Sequence, residues 1–344
     1  MDRAEQKLVK FSKEMANYYM ILTCFRYIFL IMALASNLVV CMAMVKTKDH
    51  RKTLSKFFIF QLAVVDVAFY RILECYELIS ERVTDGALGL THCKIIVFVQ
   101  YICAAVIFSL LAGIALDRSK NIIYPLQSFK TRSYNHRKKA LLLIWLCSIA
   151  VSAGFLLTAT SVRFSRRFGA AGNRNSSISR VKTNVSGGEF LFQSPKSFCI
   201  AGPPNSLETQ ISFMSYFLCG FFIPFCIMAI CYSRVFYFLK DRGKKSILNQ
   251  SVIKSKWKTV IILMLLVLNF LVSWGPIMTL ELFESFVQLE KETREWVRPP
   301  AEVICLSSSI LNPIIYAFAD ASFRKQTVSL LTCKRRISCL KSNS

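Results

Sequence analysis

The chain has 344 residues, of which 54% are hydrophobic, and a formal net charge of +24 at pH 7. This apolar fraction, together with a positive mean hydropathy, argues against a soluble globular domain and indicates a membrane protein. The positive charge does not indicate nucleic-acid binding, because the basic residues are divided among loops between apolar blocks and form no zinc-ligand or aromatic-platform pattern.

Seven apolar blocks follow one another along the chain, each close to the ~20 residues that a helix needs to cross ~30 Å of hydrocarbon. The blocks cover residues 27–45, 57–79, 95–116, 140–160, 211–239, 260–283 and 301–318. Backbone groups in lipid must be paired within their own segment, and the blocks are too long and unalternating for barrel strands. We therefore predict an all-α fold, a bundle of seven transmembrane helices over 27–318, with an extracellular tail over 1–26 and a cytoplasmic region over 319–344.

Lysine and arginine are concentrated on one side of the predicted membrane. The basic segments are residues 46–56, 132–139 and 242–258 and the C-terminal tail, whereas the opposite loops around residues 81–85 and 290–295 have nearly balanced charge. The basic side is predicted to be cytoplasmic, which places the N-terminus of a seven-span plasma-membrane protein outside. Anionic inner-leaflet lipid and a cytosolic partner would account for the net charge.

Two of the 13 cysteines, Cys93 and Cys199, fall on the predicted outer side. An even pair in an oxidising compartment favours a disulfide, which would tie the long loop before the fifth block over the bundle. The same loop carries Asn-x-Ser/Thr sequons at Asn175 and Asn184, which are glycosylation candidates if the loop is lumenal.

The region after the seventh block has a different pattern. Residues 320–331 mix apolar and basic side chains, which predicts a short amphipathic helix on the inner leaflet. Cys333 and Cys339 follow beside basic residues and are palmitoylation candidates. Two reduced thiols are the alternative.

Polar residues, aromatic residues and prolines recur at set places in the apolar blocks. A polar group in lipid is costly and is a functional hypothesis by default, although a proline can simply kink a helix and a tryptophan can simply pack. The set consists of Asn37, Asp66, Asp117, Arg118, Trp145, Pro224, Tyr232, Phe270, Trp274, Pro276, Asn312, Pro313 and Tyr316. In this order, one group per block, these residues resemble the rhodopsin-like (class A) G-protein-coupled receptors across the bundle.

The resemblance implies an activation mechanism. Arg118 resembles the arginine that its neighbour Asp117 holds at rest and releases toward the G protein; the alternative is an arginine that reaches the lipid headgroups. Trp274 and Pro276 resemble the hinge beneath the ligand pocket, where a proline bends the helix. The other members of this set are Phe270, with Phe108 and Pro224, as packing partners of the hinge, and Asn312, Pro313, Tyr232 and Tyr316 in the network of the active state.

Asp66 resembles the carboxylate of the family's mid-membrane sodium and water pocket. A buried carboxylate needs a cation or hydrogen bonds to stay ionised. Its expected polar neighbours are Asn37, Ser308, Ser309 and Asn312. Ile107 stands where the family usually has a serine, so a hydrated polar network is expected with or without sodium. No other cofactor is predicted.

The outer third of the bundle bears on the ligand. Gln100 stands where amine receptors of the family carry an aspartate, which disfavours a monoamine, and the seventh block has no lysine for a retinal Schiff base. Carboxylates there would suit a cationic group such as a peptide arginine or N-terminus. The predicted ligand-binding residues are Gln100, Glu74, Glu77, Glu281, Glu284 and Trp274. The alternative is that the acids are merely solvated, or are occupied by Arg71 and Arg82.

The resemblance implies a receptor that converts an extracellular ligand, most consistent with a peptide, into activation of a heterotrimeric G protein. Gln100 and the run Ile123-Tyr124-Pro125-Leu126 faintly resemble the vasopressin, oxytocin and neuropeptide S branch. An enzyme is disfavoured because no catalytic constellation is found and the three histidines lie in separate loops. The alternative function is an ion channel or transporter that uses Asp66 as its ion site.

Overall fold

The computed structural model describes residues 3–48, 53–67, 90–124, 134–164, 196–244, 250–319 and 324. These residues form helices α1 (Arg3–Thr47), α2 (Leu54–Val65), α3 (Leu90–Ile123), α4 (Tyr134–Ser152), α5 (Gly154–Thr158), α6 (Leu207–Ser215), α7 (Ile223–Lys244), α8 (Gln250–Phe286) and α9 (Lys291–Ala319), and strands β1 (Thr160–Phe164) and β2 (Lys196–Ile200). The predictions on Glu74, Glu77, Asn175, Asn184, residues 320–331, Cys333 and Cys339 lie outside the described residues. Tyr316 lies on α9, but its side chain is not described.

The seven predicted blocks correspond in order to α1, α2, α3, the pair α4 and α5, the run from α6 to α7, α8, and α9. Helical segments long and apolar enough to cross a membrane occur at 14–47, 90–123, 135–158, 207–242 and 264–286. The described part of α2 is shorter, and α9 contains Pro299, Pro300 and Pro313. The predicted all-α seven-helix fold is confirmed, and the chain is a multi-pass membrane protein.

Helix α3 lies at the centre of the bundle. Its residues 101–108 are all buried, because α3 packs against α2, α4 and α7. Helix α1 contacts α2 and α9, α9 contacts α8, and α8 contacts α7. The close approach of α2 and α3 depends on Gly113, where an added Cβ would lie 2.7 Å from the ring of Phe58.

The fifth span changes its winding in the middle. A π-helical segment over Tyr216–Phe222 separates α6 from α7. One wider turn rotates the side chains relative to a regular α-helix. Tyr216, Gly220 and Phe221 thereby face the interior and are buried.

The loop between the fourth and fifth spans, on what we call the outer side of the bundle, contains the two β-strands of the described residues. Strands β1 and β2 pair in antiparallel register, with Ser161 opposite Cys199. Cys199 forms a disulfide with Cys93 near the start of α3, and their Cα atoms are 5.3 Å apart. The predicted disulfide is confirmed, and it attaches a two-stranded hairpin to the outer end of the central helix.

Helix α1 begins well before the first apolar block. It starts at Arg3, whereas the sequence predicted a tail up to residue 26. The Tyr18 hydroxyl donates to the carbonyl oxygen of Trp296 at 2.7 Å, and the two rings lie 4.5 Å apart. The helical segment before the first apolar block therefore packs against the start of α9.

Candidate functional site

The outer half of the bundle has an aromatic wall formed by Tyr101, Phe155, Phe213 and Tyr216. The Tyr101 ring stacks on Phe155 with centroids 3.8 Å apart. The Tyr216 hydroxyl donates to the Tyr101 carbonyl oxygen at 2.9 Å, because the π-helical segment turns Tyr216 toward α3. Gln100, a predicted ligand residue, is half-buried beside this wall.

Five charged residues at the outer ends of α8 and α9 form what we call the outer charge cluster. Each nitrogen of the Arg298 guanidinium meets a different carboxylate: Nε contacts Glu302 at 2.9 Å, Nη1 contacts Glu284 at 2.8 Å and Nη2 contacts Glu281 at 3.4 Å. Arg294 adds a contact from Nε to Glu284 at 3.1 Å. Three carboxylates thus face two guanidinium groups.

Glu281 is the member of the cluster that faces the interior. Its side chain is 13% exposed, and its second carboxylate oxygen accepts a hydrogen bond from the Tyr101 hydroxyl at 3.1 Å. The cluster therefore connects α3, α8 and α9. Arg298 lies before the seventh apolar block; burial by itself would lower its pKa, but Glu281, Glu302 and Glu284 raise it above its ordinary value. The cluster retains a permanent cation.

The structure brings two of the four predicted ligand carboxylates together, namely Glu281 and Glu284. They are paired by Arg298 and Arg294, neither of which the sequence analysis assigned to them, whereas the proposed partners Arg71 and Arg82 lie outside the described residues. The overlooked signal was the spacing of Arg298 and Glu302, since oppositely charged residues at i and i+4 face each other on a helix.

The predicted hinge residues form an aromatic cluster in mid-bundle. Phe108 contacts Trp274 and Phe270 edge to face, with centroids 4.7 Å and 5.1 Å away. The ring that stacks on Phe270 is Phe221 of the π-helical segment, at 5.1 Å. The sequence analysis named Pro224 among the packing partners of the hinge and did not name Phe221. Pro224 is buried.

The predicted mid-membrane pocket brings α1, α2 and α9 together. The Ser309 hydroxyl donates to the Asp66 carboxylate at 2.8 Å, and the Asn37 amide donates to the Ser309 carbonyl oxygen at 3.0 Å. Ser308 is buried as well, while Ile107 is buried and offers no oxygen ligand. Among the described residues, no group of three or more His, Cys, Asp or Glu side chains is placed to hold a metal ion.

A second polar array, the inter-helix ladder, links α8 and α9. The Asn269 amide donates to the Asn312 side-chain oxygen at 3.2 Å, and the Ser273 hydroxyl donates to the Asn269 side-chain oxygen at 3.2 Å. The hydroxyl oxygens of Ser273 and Ser307 are also 3.2 Å apart. Asn312 was a predicted activation residue, but its partner Asn269 was missed, although an asparagine in an apolar block is itself a signal.

The inner end of α3 differs from the predicted pairing of Asp117 with Arg118. The Asp117 carboxylate accepts from the backbone N–H of Ser55 at 2.9 Å and from the Asn121 amide at 3.2 Å. Asp117 thus meets the N-terminal turn of α2, where a carboxylate is favoured. Among the described residues, no salt bridge joins Asp117 to Arg118.

The comparisons with known proteins agree with this architecture. The family model described as 7 transmembrane receptor (rhodopsin family) matches residues 36–316, and that family comprises receptors rather than enzymes. Galanin receptor type 1 of Rattus norvegicus is 23% identical over 92% of this chain and 83% of that receptor. Neuropeptide FF receptor 2 of the same species is 24% identical over 87% of this chain and 69% of that receptor.

A third relative comes from a distant animal. The QRFP-like peptide receptor of Branchiostoma floridae is 24% identical over 90% of this chain and 77% of that receptor. None of these three relatives is a vasopressin, oxytocin or neuropeptide S receptor, so the finer likeness to that branch stays a prediction.

Proposed function

Because the chain belongs to the rhodopsin family of seven-transmembrane receptors, we propose that it detects an extracellular peptide and activates a heterotrimeric G protein. The receptor would act in the plasma membrane with its N-terminus outside. The names of the three relatives support the peptide, since they refer to galanin, neuropeptide FF and a QRFP-like peptide. The family match gives no support to the alternative of a channel or transporter.

The outer charge cluster supports a peptide with a basic group. Its three carboxylates and two guanidinium groups leave one negative charge within the cluster. The contact between Arg298 and Glu281 is the longest of the three that Arg298 makes, and Glu281 faces the aromatic wall through Tyr101. A ligand arginine, lysine or N-terminus would bind Glu281 in competition with Arg298.

The route from this site to the inner face follows packed side chains. Tyr101 contacts Tyr216 edge to face at 4.9 Å, and Trp274, Phe108, Phe221 and Phe270 form the next layer. A ligand that binds one arrangement of this layer more tightly would shift the equilibrium toward it. Arg118, whose neighbour Asp117 is engaged by α2, is the residue we assign to G-protein contact.

The proposal also includes a candidate sodium site at Asp66. Asp66 and Ser309 would hold it, and the ion would neutralise the buried carboxylate. Ile107 contributes no ligand, whereas the hydrogen bond that Ser309 donates supports an ionised Asp66.

The test is a panel of peptides, each paired with an analogue that lacks its basic group, scored by activation of several G proteins. Once a peptide activates the receptor, Glu281→Gln should weaken it by roughly 10- to 100-fold, since a charge-assisted hydrogen bond contributes about 1.5–3 kcal/mol. The analogue should lose little. Glu208→Gln, at an exposed acid in the first turn of α6, is the matched control and should leave both potencies unchanged.

Two results would contradict this proposal. An equal loss for the peptide and its analogue in Glu281→Gln would exclude recognition of the basic group. Ligand-independent ion currents in a membrane without G proteins, together with no G-protein response to any peptide, would favour the channel instead.

A further inference from the structure

Asn269 is a buried polar residue for which the activation set has no role. It is 8% exposed in an apolar stretch of α8, and both ends of its amide are used: nitrogen toward Asn312, oxygen toward Ser273. A buried amide is retained at low cost only where its hydrogen bonds are made. Apolar side chains are accommodated at this depth, since Leu266, one turn before Asn269, and Phe270, the residue after it, are also buried.

The position of the inter-helix ladder relative to the prolines determines its effect. Asn269 and Ser273 lie on the inner side of Pro276 in α8. In α9, Asn312 directly precedes Pro313 and Ser307 lies six residues before it. The hinge at Pro276 allows the inner part of α8 to move relative to the rest. Any outward swing of that part separates Asn269 from Asn312.

We infer that Asn269 is a positioning residue that holds Asn312 and restrains the inner part of α8 in the resting receptor, which limits signalling in the absence of ligand. The inference rests on the proposed coupling to a G protein. The hydrogen bonds are internal to the bundle, so their loss shifts an equilibrium between two arrangements without removing any group that contacts ligand or G protein.

The ladder also predicts non-additivity. Ser273 donates to Asn269, so the two side chains belong to one network, and residues in one network do not contribute independently. Removing Asn269 leaves Ser273 with its contact to Ser307 alone. A second substitution at Ser273 should therefore add less than its effect in the otherwise unchanged receptor.

The experiment measures ligand-independent G-protein activation at matched surface expression. Asn269→Leu keeps the number and branching of the side-chain heavy atoms and removes both hydrogen bonds, and should raise basal activity on the order of three- to tenfold. Ser273→Ala should raise it less, and the double variant should stay below the product of the two effects. Leu268→Ala, at a lipid-exposed neighbour, is the matched control. Basal activity that is unchanged or lowered in both Asn269→Leu and Ser273→Ala would overturn the inference.

A conformational readout separates failure of this inference from failure of the proposed coupling. Spin labels at two exposed positions, Tyr124 directly after α3 and Ile261 on α8, in a background without other reactive thiols, report the distance between the inner ends of these helices. Asn269→Leu should increase the population at the longer distance, even if no tested G protein responds. An unchanged distance distribution would contradict the restraint. If Asn269→Leu does not reach the surface, the same measurement on Ser273→Ala decides.

Discussion

The outer charge cluster and the inter-helix ladder join the same two helices, α8 and α9, by different means. The cluster uses full charges on side chains that are partly open to water, with Arg298 30% and Arg294 43% exposed. The ladder uses neutral amides and hydroxyls; Asn269, Ser273 and Asn312 are buried, and Ser307 is half-buried. Charges are tolerated where water and opposite charges are near, whereas a buried contact between neutral groups avoids the cost of desolvating ions. The cluster is therefore suited to exchange partners with a charged ligand, and the ladder to hold one arrangement.

The largest expected effect concerns the inner end, through which both regions must act. Arg118→Ala should reduce G-protein activation more than 100-fold, on the order of the loss when a charged, partnered group is removed. Ligand binding should be retained, because Arg118 lies about 25 Å along α3 from Tyr101 at 1.5 Å per residue. The raised basal activity of Asn269→Leu should disappear when Arg118→Ala is added to it. Normal signalling by Arg118→Ala at equal surface expression would contradict the assignment of Arg118 to G-protein contact.

Removal of the disulfide tests whether the hairpin supports ligand binding at the outer side without affecting the inter-helix ladder. Cys93→Ser should strongly lower surface expression and ligand binding, since loss of a native disulfide typically costs about 2–5 kcal/mol. Basal activity per receptor at the surface should change little, because the hydrogen bonds of the inter-helix ladder join α8 to α9 and include no residue of the hairpin. Labelling of both cysteines by a membrane-impermeant thiol reagent in the unreduced receptor would refute the bond.

Removal of the central cation should distinguish the two regions by stability. Arg298→Gln leaves three carboxylates without their shared partner and should destabilise the receptor by about 1–3 kcal/mol, a value reduced from the buried-pair range because Arg298 is partly exposed. The double variant Arg298→Gln with Glu281→Gln should recover part of the loss. The measurement is thermal unfolding of the purified receptor in a lipid nanodisc. A double variant less stable than Arg298→Gln would contradict charge pairing.

Salt should give the smallest effect and the clearest contrast. Screening shortens the range of electrostatic interactions from ~10 Å at 0.1 M to ~3 Å at 1 M salt. The loss of stability in Arg298→Gln should therefore shrink at 1 M NaCl, while the basal activity and stability of Asn269→Leu relative to wild type should stay the same. Equal salt dependence of the two variants would contradict the view that the outer charge cluster acts through charges and the inter-helix ladder through neutral hydrogen bonds.

Several details of the site depended on neighbours that lie far away in the chain. The ring that stacks on Phe270 was not predicted. The π-helical segment turns Phe221 into that place, and a single wide turn leaves no mark in an apolar pattern. Asp117 was expected to hold its neighbour Arg118. Instead, the Asp117 carboxylate accepts a hydrogen bond from the backbone N–H of Ser55, which lies on another helix.

Hydrophobicity along the chain determined the seven spans, because crossing lipid requires a long apolar segment whatever surrounds it. The positions of Asp66, Trp274, Pro276 and Asn312 within those spans determined the resemblance to the receptor family. Only the tertiary structure decided which polar groups meet. Arg298 lies 14 residues from Glu284 and 17 from Glu281, and Asn269 lies 43 residues from Asn312. Such pairs depend on the rotation and depth of each helix in the bundle, which packing sets and hydrophobicity does not.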